Sequence, residues 1–281
     1  MIKNIAFEGG GVLGIAYSGA WLELEKRYLV KGLEKVSGVS AGAIFATLAS
    51  LKFTAKEIFD IASATDFKSF EDGNIFDKTR LFYFYGLHPG RVFLKWIQDV
   101  IAKKLNPNAT FADFHNAGYL DLHIFATNLN TNSRVRFCYE TTPDELVCNA
   151  VRASMSIPGF FEAFEIKGQI YVDGGTSFNY PLTAFDGNCE NLETLGLHLG
   201  LNEPPTTDNG LKFGEPKQYA IALFNADRNS QNVNLSTRKE DCARTVFIDD
   251  CGISATNFGL TFNDKAKLFE AGRKGVIDKF K

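Results

Sequence analysis

The chain has 281 residues, of which 45% are hydrophobic and 22% are charged, and its formal net charge is -3 at pH 7. This length and apolar content suffice for a sizeable core, so we expect a single domain over residues 1–281 that carries one large insertion. The slightly acidic balance and the absence of a Lys/Arg run exclude the basic footprint of a nucleic-acid-binding protein.

The five cysteines are odd in number, widely spaced and free of any CxxC pair. They predict reduced thiols rather than a disulfide framework or a zinc site. The N-terminus lacks the apolar core of a signal peptide, and no stretch reaches the ~18 apolar residues that a membrane-spanning helix needs. We therefore expect a cytoplasmic protein, and a protein exported without a cleaved signal is the alternative.

The first fifty residues contain two predicted strand–turn–helix units. Residues 2–7 form a short apolar run that ends in a glycine cluster, and helical spacing then continues to about Arg27. A second strand is predicted at 33–39, and a helix of small residues follows at 41–49. Two such units in succession predict a parallel sheet with helices on its faces.

The pattern changes between about residues 62 and 118, where aromatic residues are scattered among Lys and Asp. Only residues 91–105 have clear helical spacing. We interpret 62–118 as an insertion and a candidate lid over an apolar site. Its residues Phe82, Phe84 and Phe93 are candidates for contact with a membrane surface, and a place in the buried core is the alternative for these aromatics.

The second half of the chain continues the α/β pattern. Strands are predicted at 120–128, 134–139, 164–166, 169–172, 194–199 and 245–248, and helices at 217–226 and 264–280. Asn263 is the predicted N-cap of the last helix.

The segment Gly38-Val39-Ser40-Ala41-Gly42 fits the GxSxG nucleophile elbow, in which a serine sits on a sharp turn between a strand and a helix. Gly38 and Gly42 are needed because neighbouring backbone comes too close for a side chain. Ser40 would stand at a helix N-terminus, where free N–H groups and the helix dipole stabilise negative charge. The position between a predicted strand and a predicted helix favours a catalytic serine over an ordinary turn.

The glycines Gly9, Gly11 and Gly14 match GxGxxG, a pattern that is also typical of dinucleotide sites. A P-loop is excluded because no Lys-Ser/Thr pair follows. A dinucleotide site would need an acidic ribose ligand about twenty residues further on, and Glu34 lies near that position. Because the chain instead enters the GxSxG segment, we favour an oxyanion hole formed by the amides of Gly9, Gly10 and Gly11.

A catalytic serine needs a base, and two candidates remain from the residues themselves. Asp173 ends a predicted strand and is followed by Gly174 and Gly175, as at an active-site loop, although an ordinary turn has the same composition. His198 follows this acid in the order of an α/β-hydrolase triad. It lies in mid-strand among apolar residues, where a packed core histidine is the commoner case.

Four blocks in order resemble the signature blocks of the patatin-like phospholipase family. They are Gly9–Gly14, Gly38–Gly42, Arg152–Phe161, and Tyr171–Gly175 with Asn179 and Pro181 behind it. The resemblance implies a three-layer α/β fold, with a central mostly parallel sheet between helices. It also implies a Ser-Asp dyad without histidine, metal or other cofactor.

By this resemblance Ser40 takes the place of the nucleophile and Asp173 that of the dyad aspartate. Gly10 and Gly11 lie in the segment whose amides form the family's oxyanion hole. One departure is Leu13, at a position where the family commonly has Lys or Arg. A cation at position 13 therefore cannot contribute to anion binding in this chain, whereas the implied dyad is unaffected.

The implied activity is that of a lipid acyl hydrolase of the phospholipase A or lysophospholipase type, acting through an acyl-serine. Its substrate would be a phospholipid or another lipid ester at a membrane surface. An aspartate with a pKa of ~3.9 is a weak base, so we expect a partly dehydrated site. The alternatives are a triad esterase that uses His198 and a catalytically silent module that binds an acyl chain or a partner.

Overall fold

Strands and helices alternate along most of the chain. The computed structural model describes residues 1–73, 79–200, 211–212, 214–236 and 238–281. The strands are β1 (Asn4–Phe7), β2 (Lys35–Val39), β3 (Gly86–His88), β4 (Asp121–Asn128), β5 (Ser133–Phe137), β6 (Gly159–Phe161), β7 (Phe164–Ile166), β8 (Gln169–Asp173), β9 (Thr194–Leu199) and β10 (Thr245–Ile248). The α-helices are α1 (Ala16–Lys26), α2 (Ala41–Ser50), α3 (Ala55–Ala64), α4 (Thr79–Tyr83), α5 (Arg91–Ile101), α6 (Phe111–Asn116), α7 (Val147–Ser154), α8 (Gly175–Phe178), α9 (Pro216–Ser236), α10 (Lys239–Ala243) and α11 (Phe262–Lys279). Short 3-10 helices cover Gly11–Ile15, Phe67–Phe70 and Pro181–Phe185.

Within the described ranges, eight strands form one central sheet. Its order is β10-β9-β1-β2-β4-β8-β7, and β5 also pairs with β4. The strands from β10 to β4 are parallel, whereas β5 and β8 are antiparallel to β4 and β7 is antiparallel to β8. This arrangement confirms the predicted α/β class with a mostly parallel sheet.

Different elements cover the two faces of the sheet. Phe7 of β1 packs edge-to-face on Tyr17 of α1, with ring centroids 5.2 Å apart, and its ring lies 6.4 Å from that of Phe45 in α2. Ser37 of β2 pairs in register with the residue before Phe7, so its side chain points to the opposite face. There Ser37 Oγ donates to Pro181 O at 3.3 Å. The sheet is therefore the middle of three layers.

The region 62–118 contains the end of α3, the helices α4, α5 and α6, and strand β3. Strand β3 pairs in parallel with β6 in a separate two-stranded sheet, which joins this region to the second half of the chain. The helix predicted at 91–105 covers Arg91–Ile101, and the helix predicted at 217–226 is the longer α9.

The prediction of Asn263 as N-cap is wrong, because Thr261 caps α11. The Asp264 N–H donates to Thr261 Oγ1 at 3.2 Å, and the Thr261 N–H donates to Asp264 Oδ2 at 3.0 Å. This reciprocal capping box gives hydrogen-bond partners to the N–H groups of Thr261 and Asp264, which have none within the helix. The Thr-x-x-Asp spacing was present in the sequence.

Candidate active site

Ser40 lies on a sharp turn between β2 and α2. Its backbone has φ 53° and ψ -126°, a conformation that non-glycine residues adopt rarely and at a cost of about 1–3 kcal/mol. A Cβ atom on Gly38 would lie 2.1 Å from Gly42 O, and one on Gly42 would lie 2.3 Å from Phe7 O. Neighbouring backbone therefore requires both flanking glycines, and the turn leaves Ser40 at the N-terminus of α2.

Ser40 and Asp173 come together because β2 and β8 approach one edge of β4 from opposite directions. Strand β5 occupies the other edge of β4. Val39 of β2 pairs with Phe125 of β4, and Asp173 of β8 pairs with Ala126, the next residue. The carboxyl ends of the two strands therefore meet.

Asp173 is wholly buried, and its backbone and side chain are held separately. Its N–H donates to Ser156 O at 2.9 Å, and its Oδ1 accepts from the Gly175 N–H at 2.7 Å. In the part of the chain that the structure describes, Asp173 Oδ2 has no hydrogen-bond partner. A Cβ atom on Gly174 would lie 2.4 Å from Phe125 O, so glycine is required where the chain turns away after Asp173.

Burial raises the pKa of Asp173 to about 7, because the charged carboxylate loses its hydration. The polar Ser40 side chain, the hydrogen bond from the Gly175 N–H and the charge of Arg228 lower this pKa and limit the rise. The hydrogen bond that Ser40 Oγ donates is nevertheless directed at Met155 Sδ, 3.4 Å away, which is a weak acceptor.

The glycine loop after β1 presents backbone N–H groups beside Ser40. The Gly9 N–H donates to Asn179 O at 3.0 Å, so this amide is already engaged. Among the described residues, no hydrogen bond uses the N–H groups of Gly10 or Gly11. Ala41 is the first residue of α2, and its N–H has no partner within the helix. The amides available to an oxyanion are therefore those of Gly10, Gly11 and Ala41.

A buried Glu8–Asn179 pair fixes the loop. Asn179 Nδ2 donates to Glu8 Oε1 at 2.8 Å and to Gly9 O at 3.2 Å. The other oxygen of Glu8 accepts from the Leu199 N–H at 2.6 Å. The carboxylate thus ties the start of the glycine loop to the end of β9, and Gly14 lets the loop continue close to α2, since its Cβ would lie 3.0 Å from Ala41 Cβ.

His198 lies in β9 and is buried. Its Nε2 is 3.5 Å from Glu8 Oε1, and its Nδ1 is 3.3 Å from Gly200 O. Its ring packs on Tyr180, with centroids 5.3 Å apart. Across the described residues, no hydrogen bond joins His198 to Ser40 or Asp173, and its position matches that of a packed core histidine.

The block 152–161 contacts the turn at Ser40 through hydrogen bonds. The Ser40 N–H donates to Ser154 Oγ at 2.8 Å. Arg152 is wholly buried, and its guanidinium donates to Ser156 Oγ at 2.6 Å and to Pro89 O at 2.9 Å. Burial lowers the pKa of Arg152 to about 10. This arginine therefore connects the region 62–118 to Ser156, whose carbonyl accepts from the Asp173 N–H.

The space around Ser40 is small. A cavity of about 10 Å³ is lined by residues 9–11, Ser40 and Asn179, by Phe224, Asn225 and Arg228 of α9, and by Ile157, Ala255 and Thr256. This volume accommodates about one water molecule. The described lining of this cavity includes no residue of 62–118, so the elements that cover Ser40 are α9 and the loop that contains Ala255.

A second, apolar cavity of about 40 Å³ adjoins the first, because Gly11 lines both and Ala41, the neighbour of Ser40, lines the second. Its walls include Phe45 of α2, and Phe67 and Trp96 of the region 62–118. The insertion therefore contributes to an apolar site next to Ser40. Both cavities must widen before an acyl chain can enter.

Neither a membrane-spanning helix nor a metal-binding cluster is found in the described ranges. No helix there is both long and apolar enough to cross a membrane. No group of three or more His, Cys, Asp or Glu side chains there is arranged to hold a metal ion.

Sequence reasoning missed three parts of the site, which are Glu8, the Ala41 amide and Arg228. An acidic residue inside the apolar run before the glycines was a signal for Glu8, because a buried carboxylate needs partners. The GxSxG motif was a signal for Ala41, since the residue after the nucleophile commonly contributes an oxyanion N–H. Arg228 had no such signal, since it reaches the site only through the packing of α9.

The fold and the site define an α/β protein with a nucleophile elbow, a buried acid at the adjoining strand end and free amides around the serine. A sequence profile of the family described as Patatin-like phospholipase matches residues 5–186. The chain belongs to the patatin-like phospholipase family. This confirms the resemblance inferred from the four sequence blocks.

Similar proteins occur in viruses and bacteria. The chain is 30% identical over 282 residues to uncharacterized protein R571 of Acanthamoeba polyphaga mimivirus, which covers 98% of this chain and 92% of that protein. It is 26% identical over 187 residues to probable lipid hydrolase 463L of Invertebrate iridescent virus 6, which covers 64% of this chain and 62% of that protein. The crystal structure of VipD from Legionella pneumophila matches 99% of this chain and 66% of VipD, with a TM-score of 0.65 and 18% identity. This last similarity supports the fold.

Proposed function

We propose that the protein is a lipid acyl hydrolase that cleaves carboxylic ester bonds of membrane phospholipids, with Ser40 as nucleophile, Asp173 as base and no metal ion. Family membership supports an enzyme that acts on lipids. The observation that carries the proposal is the meeting of Ser40, on a strained elbow, with a wholly buried Asp173 whose pKa is raised to about 7. A carboxylate with this pKa is a competent base near neutral pH.

The first half of the reaction forms an acyl-serine. The Ser40 hydroxyl turns from Met155 Sδ to the open Oδ2 of Asp173, which accepts its proton as Ser40 Oγ attacks the ester carbonyl carbon. The carbonyl oxygen becomes an oxyanion that the amides of Gly10, Gly11 and Ala41 stabilise. When the carbon–oxygen bond to glycerol breaks, the leaving alkoxide receives the proton from Asp173.

The second half releases the fatty acid. Asp173 accepts a proton from a water molecule as that water attacks the acyl-serine carbon. The bond to Ser40 Oγ then breaks, and the proton returns from Asp173 to Ser40. The apolar cavity beside Gly11 and Ala41 is suited to the first carbons of the acyl chain, because its walls are almost entirely hydrocarbon.

A membrane surface is the proposed location of the substrate. Exposed aromatic side chains run through the end of α4, where Phe82 is 75% exposed and Phe84 is 51% exposed. On α9, Tyr219 and Leu223 are also exposed. We call these four residues and their neighbours the docking face. The prediction of membrane contact is wrong for Phe93, which is wholly buried.

The two parts of the docking face adjoin each other and the site. The Gly159 N–H donates to Tyr85 O at 3.1 Å, and a Cβ atom on Gly159 would lie 2.7 Å from Ala220 of α9. Helix α9 also lines the Ser40 cavity through Phe224. A membrane that contacts this face would therefore lie next to the helix that covers Ser40.

The test is product analysis on mixed phospholipid vesicles with EDTA present. The parent protein is expected to release free fatty acids and lysophospholipids, which mass spectrometry identifies, and Ser40→Ala is expected to release neither. A fluorophosphonate probe is expected to label Ser40 in the parent protein and to leave Ser40→Ala unlabelled. A parent protein that releases no fatty acid, or that needs a metal ion to do so, would contradict the proposal.

A further inference from the structure

Arg228 is a half-buried arginine of α9 that faces the Ser40 cavity. Its Nε is buried without a hydrogen-bond partner, and no ion pair to Arg228 occurs among the described residues. Of the described residues that line this cavity, Arg228 is the one with a formally charged side chain. A buried N–H donor without a partner is costly, and an anionic ligand in the cavity would give the Nε–H of Arg228 an acceptor.

The charge of Arg228 reaches the reacting groups. It lowers the pKa of Asp173 and that of the buried Tyr17. It forms no hydrogen bond or ion pair with Asp173, whose Oδ2 stays open. Arg228 is therefore the source of positive charge in this cavity.

We propose that Arg228 binds the phosphate group of a glycerophospholipid while Ser40 attacks one of its ester carbonyls. This inference rests on the proposed function. A guanidinium presents N–H donors in a planar fork that matches two phosphate oxygens, and such contacts strengthen where water is excluded. Asn225 and Thr256 line the same cavity and offer neutral donors for the remaining oxygens.

The spacing of phosphate and ester in the substrate suits a cavity that Ser40 and Arg228 line together. In a glycerophospholipid the phosphate and the nearest ester carbonyl are separated by a few bonds of the glycerol backbone, so one cavity would hold both groups once it has widened. A cavity of about 10 Å³ is too small for a phosphate group, and α9 has to shift outward on binding. Gln231 holds α9 in place through Gly175 O, 3.1 Å from its Nε2, and through the Asn179 N–H, 2.8 Å from its Oε1.

The test compares diheptanoylphosphatidylcholine with diheptanoylglycerol, which has the same acyl esters and no phosphate. Arg228→Gln is expected to lower the ratio of kcat/KM for the phospholipid over that for the diacylglycerol by about 10- to 100-fold, the range for loss of one charge-assisted contact. The loss is expected mainly as a higher KM. Arg228→Lys is expected to restore part of the ratio, because it keeps the charge and loses the fork.

Arg91→Gln is the matched control, since it removes an exposed arginine that lines neither cavity, and the ratio is expected to stay unchanged. Fluorophosphonate labelling of Ser40 in Arg228→Gln checks that the site is intact. Equal losses on both substrates would assign Arg228 to tuning Asp173 and overturn the inference while leaving the proposed function in place. Activation of diheptanoylglycerol turnover by inorganic phosphate would assign the cavity to free phosphate and also overturn it. A parent protein inactive on both esters would overturn the inference together with the proposed function.

Discussion

The backbone N–H of Ser40 donates a hydrogen bond to Ser154 Oγ at 2.8 Å, and Ser154 Oγ donates in turn to Phe125 O at 2.6 Å. One hydroxyl therefore links the nucleophile's turn to the β4 residue at which β2 ends. The turn is strained at Ser40, and a strained conformation persists only where surrounding contacts hold it.

Ser154→Ala removes this link and leaves a buried N–H and a buried carbonyl without a partner. We expect a loss of about 1–3 kcal/mol in the free energy of unfolding and a fall in kcat, because the position of Ser40 Oγ becomes less defined. Ser18→Ala is the control, since it removes another buried hydroxyl, 2.6 Å from Ile15 O, and Ser18 itself lines neither cavity. Urea denaturation and ester turnover check both. Equal kcat in the two variants would remove the role assigned to Ser154.

The identity of the base is tested by three substitutions. Asp173→Asn keeps the shape and removes the base, so it is expected to lose nearly all ester hydrolysis, as does Ser40→Ala. His198→Ala is expected to stay within about tenfold of the parent, or ~1.4 kcal/mol in barrier, because His198 contacts Glu8 and Gly200. The measurement is kcat/KM on a soluble ester. A folded His198→Ala protein as inactive as Ser40→Ala, with Asp173→Asn still active, would establish a triad instead.

The pH dependence of hydrolysis follows from the raised pKa of Asp173. In the proposed mechanism the ionised carboxylate is the base, and with a pKa of about 7 this form is fully present only above that pH. We expect kcat/KM on an uncharged ester to fall about tenfold per pH unit below about 7, since this parameter reports the ionisation of the free enzyme. Circular dichroism at each pH checks that the protein stays folded. A flat profile between pH 5 and 8 would exclude Asp173 as a base with a raised pKa.

The same pKa shift predicts that Asp173 destabilises the fold. Below about pH 4 both the folded and the unfolded states hold the proton, so no difference arises. Between the usual value of 3.8 and about 7 the unfolded state alone loses it, and the cost of folding grows by about 1.4 kcal/mol per pH unit. Asp173→Asn lacks this cost, so its stability relative to the parent is expected to increase from pH 4 to pH 7 and to stay constant above.

Asp264→Asn provides a control of opposite sign for this measurement. Hydrogen bonds from Thr261 lower the pKa of Asp264, so its carboxylate stabilises the fold above the unfolded-state pKa and loses this effect as the pH falls. Asp264→Asn is therefore expected to be less stable than the parent at pH 7, with the difference shrinking in acid. Urea denaturation of both variants at several pH values makes the comparison. Parallel pH trends in the two variants would refute the sign assigned to Asp173.

The docking face is tested by vesicle sedimentation. Replacing Phe82 and Phe84 together by Ser removes two exposed rings, each of which gains about 1.5–3 kcal/mol when fully buried in an apolar phase. We expect the fraction bound to phospholipid vesicles to fall at least tenfold. Phe262→Ser is the control, because Phe262 is at least as exposed as either ring and lies outside the docking face, at the start of α11. Unchanged sedimentation of the double variant would show that these two aromatic residues do not contribute to membrane binding.

The sequence by itself determined the α/β class and the local geometry around Ser40. Glycines at 38 and 42 are required by backbone contacts a few residues away, and this short-range steric demand is visible in a GxSxG pattern between a strand and a helix. The strands at 194–199 and 245–248 were also predictable from their own sequences, because buried parallel strands are mostly continuous apolar runs.

Only the tertiary structure decided what surrounds the serine. The proximity of Asp173 depends on β2 and β8 sharing one edge of β4, a pairing that strand propensity does not encode. The engaged Gly9 amide depends on Asn179, and among the described residues the cover over Ser40 depends on the packing of α9 and not on the region 62–118. These features join segments that are distant along the chain, and the free energy that selects them comes from burial and hydrogen bonding across the whole fold.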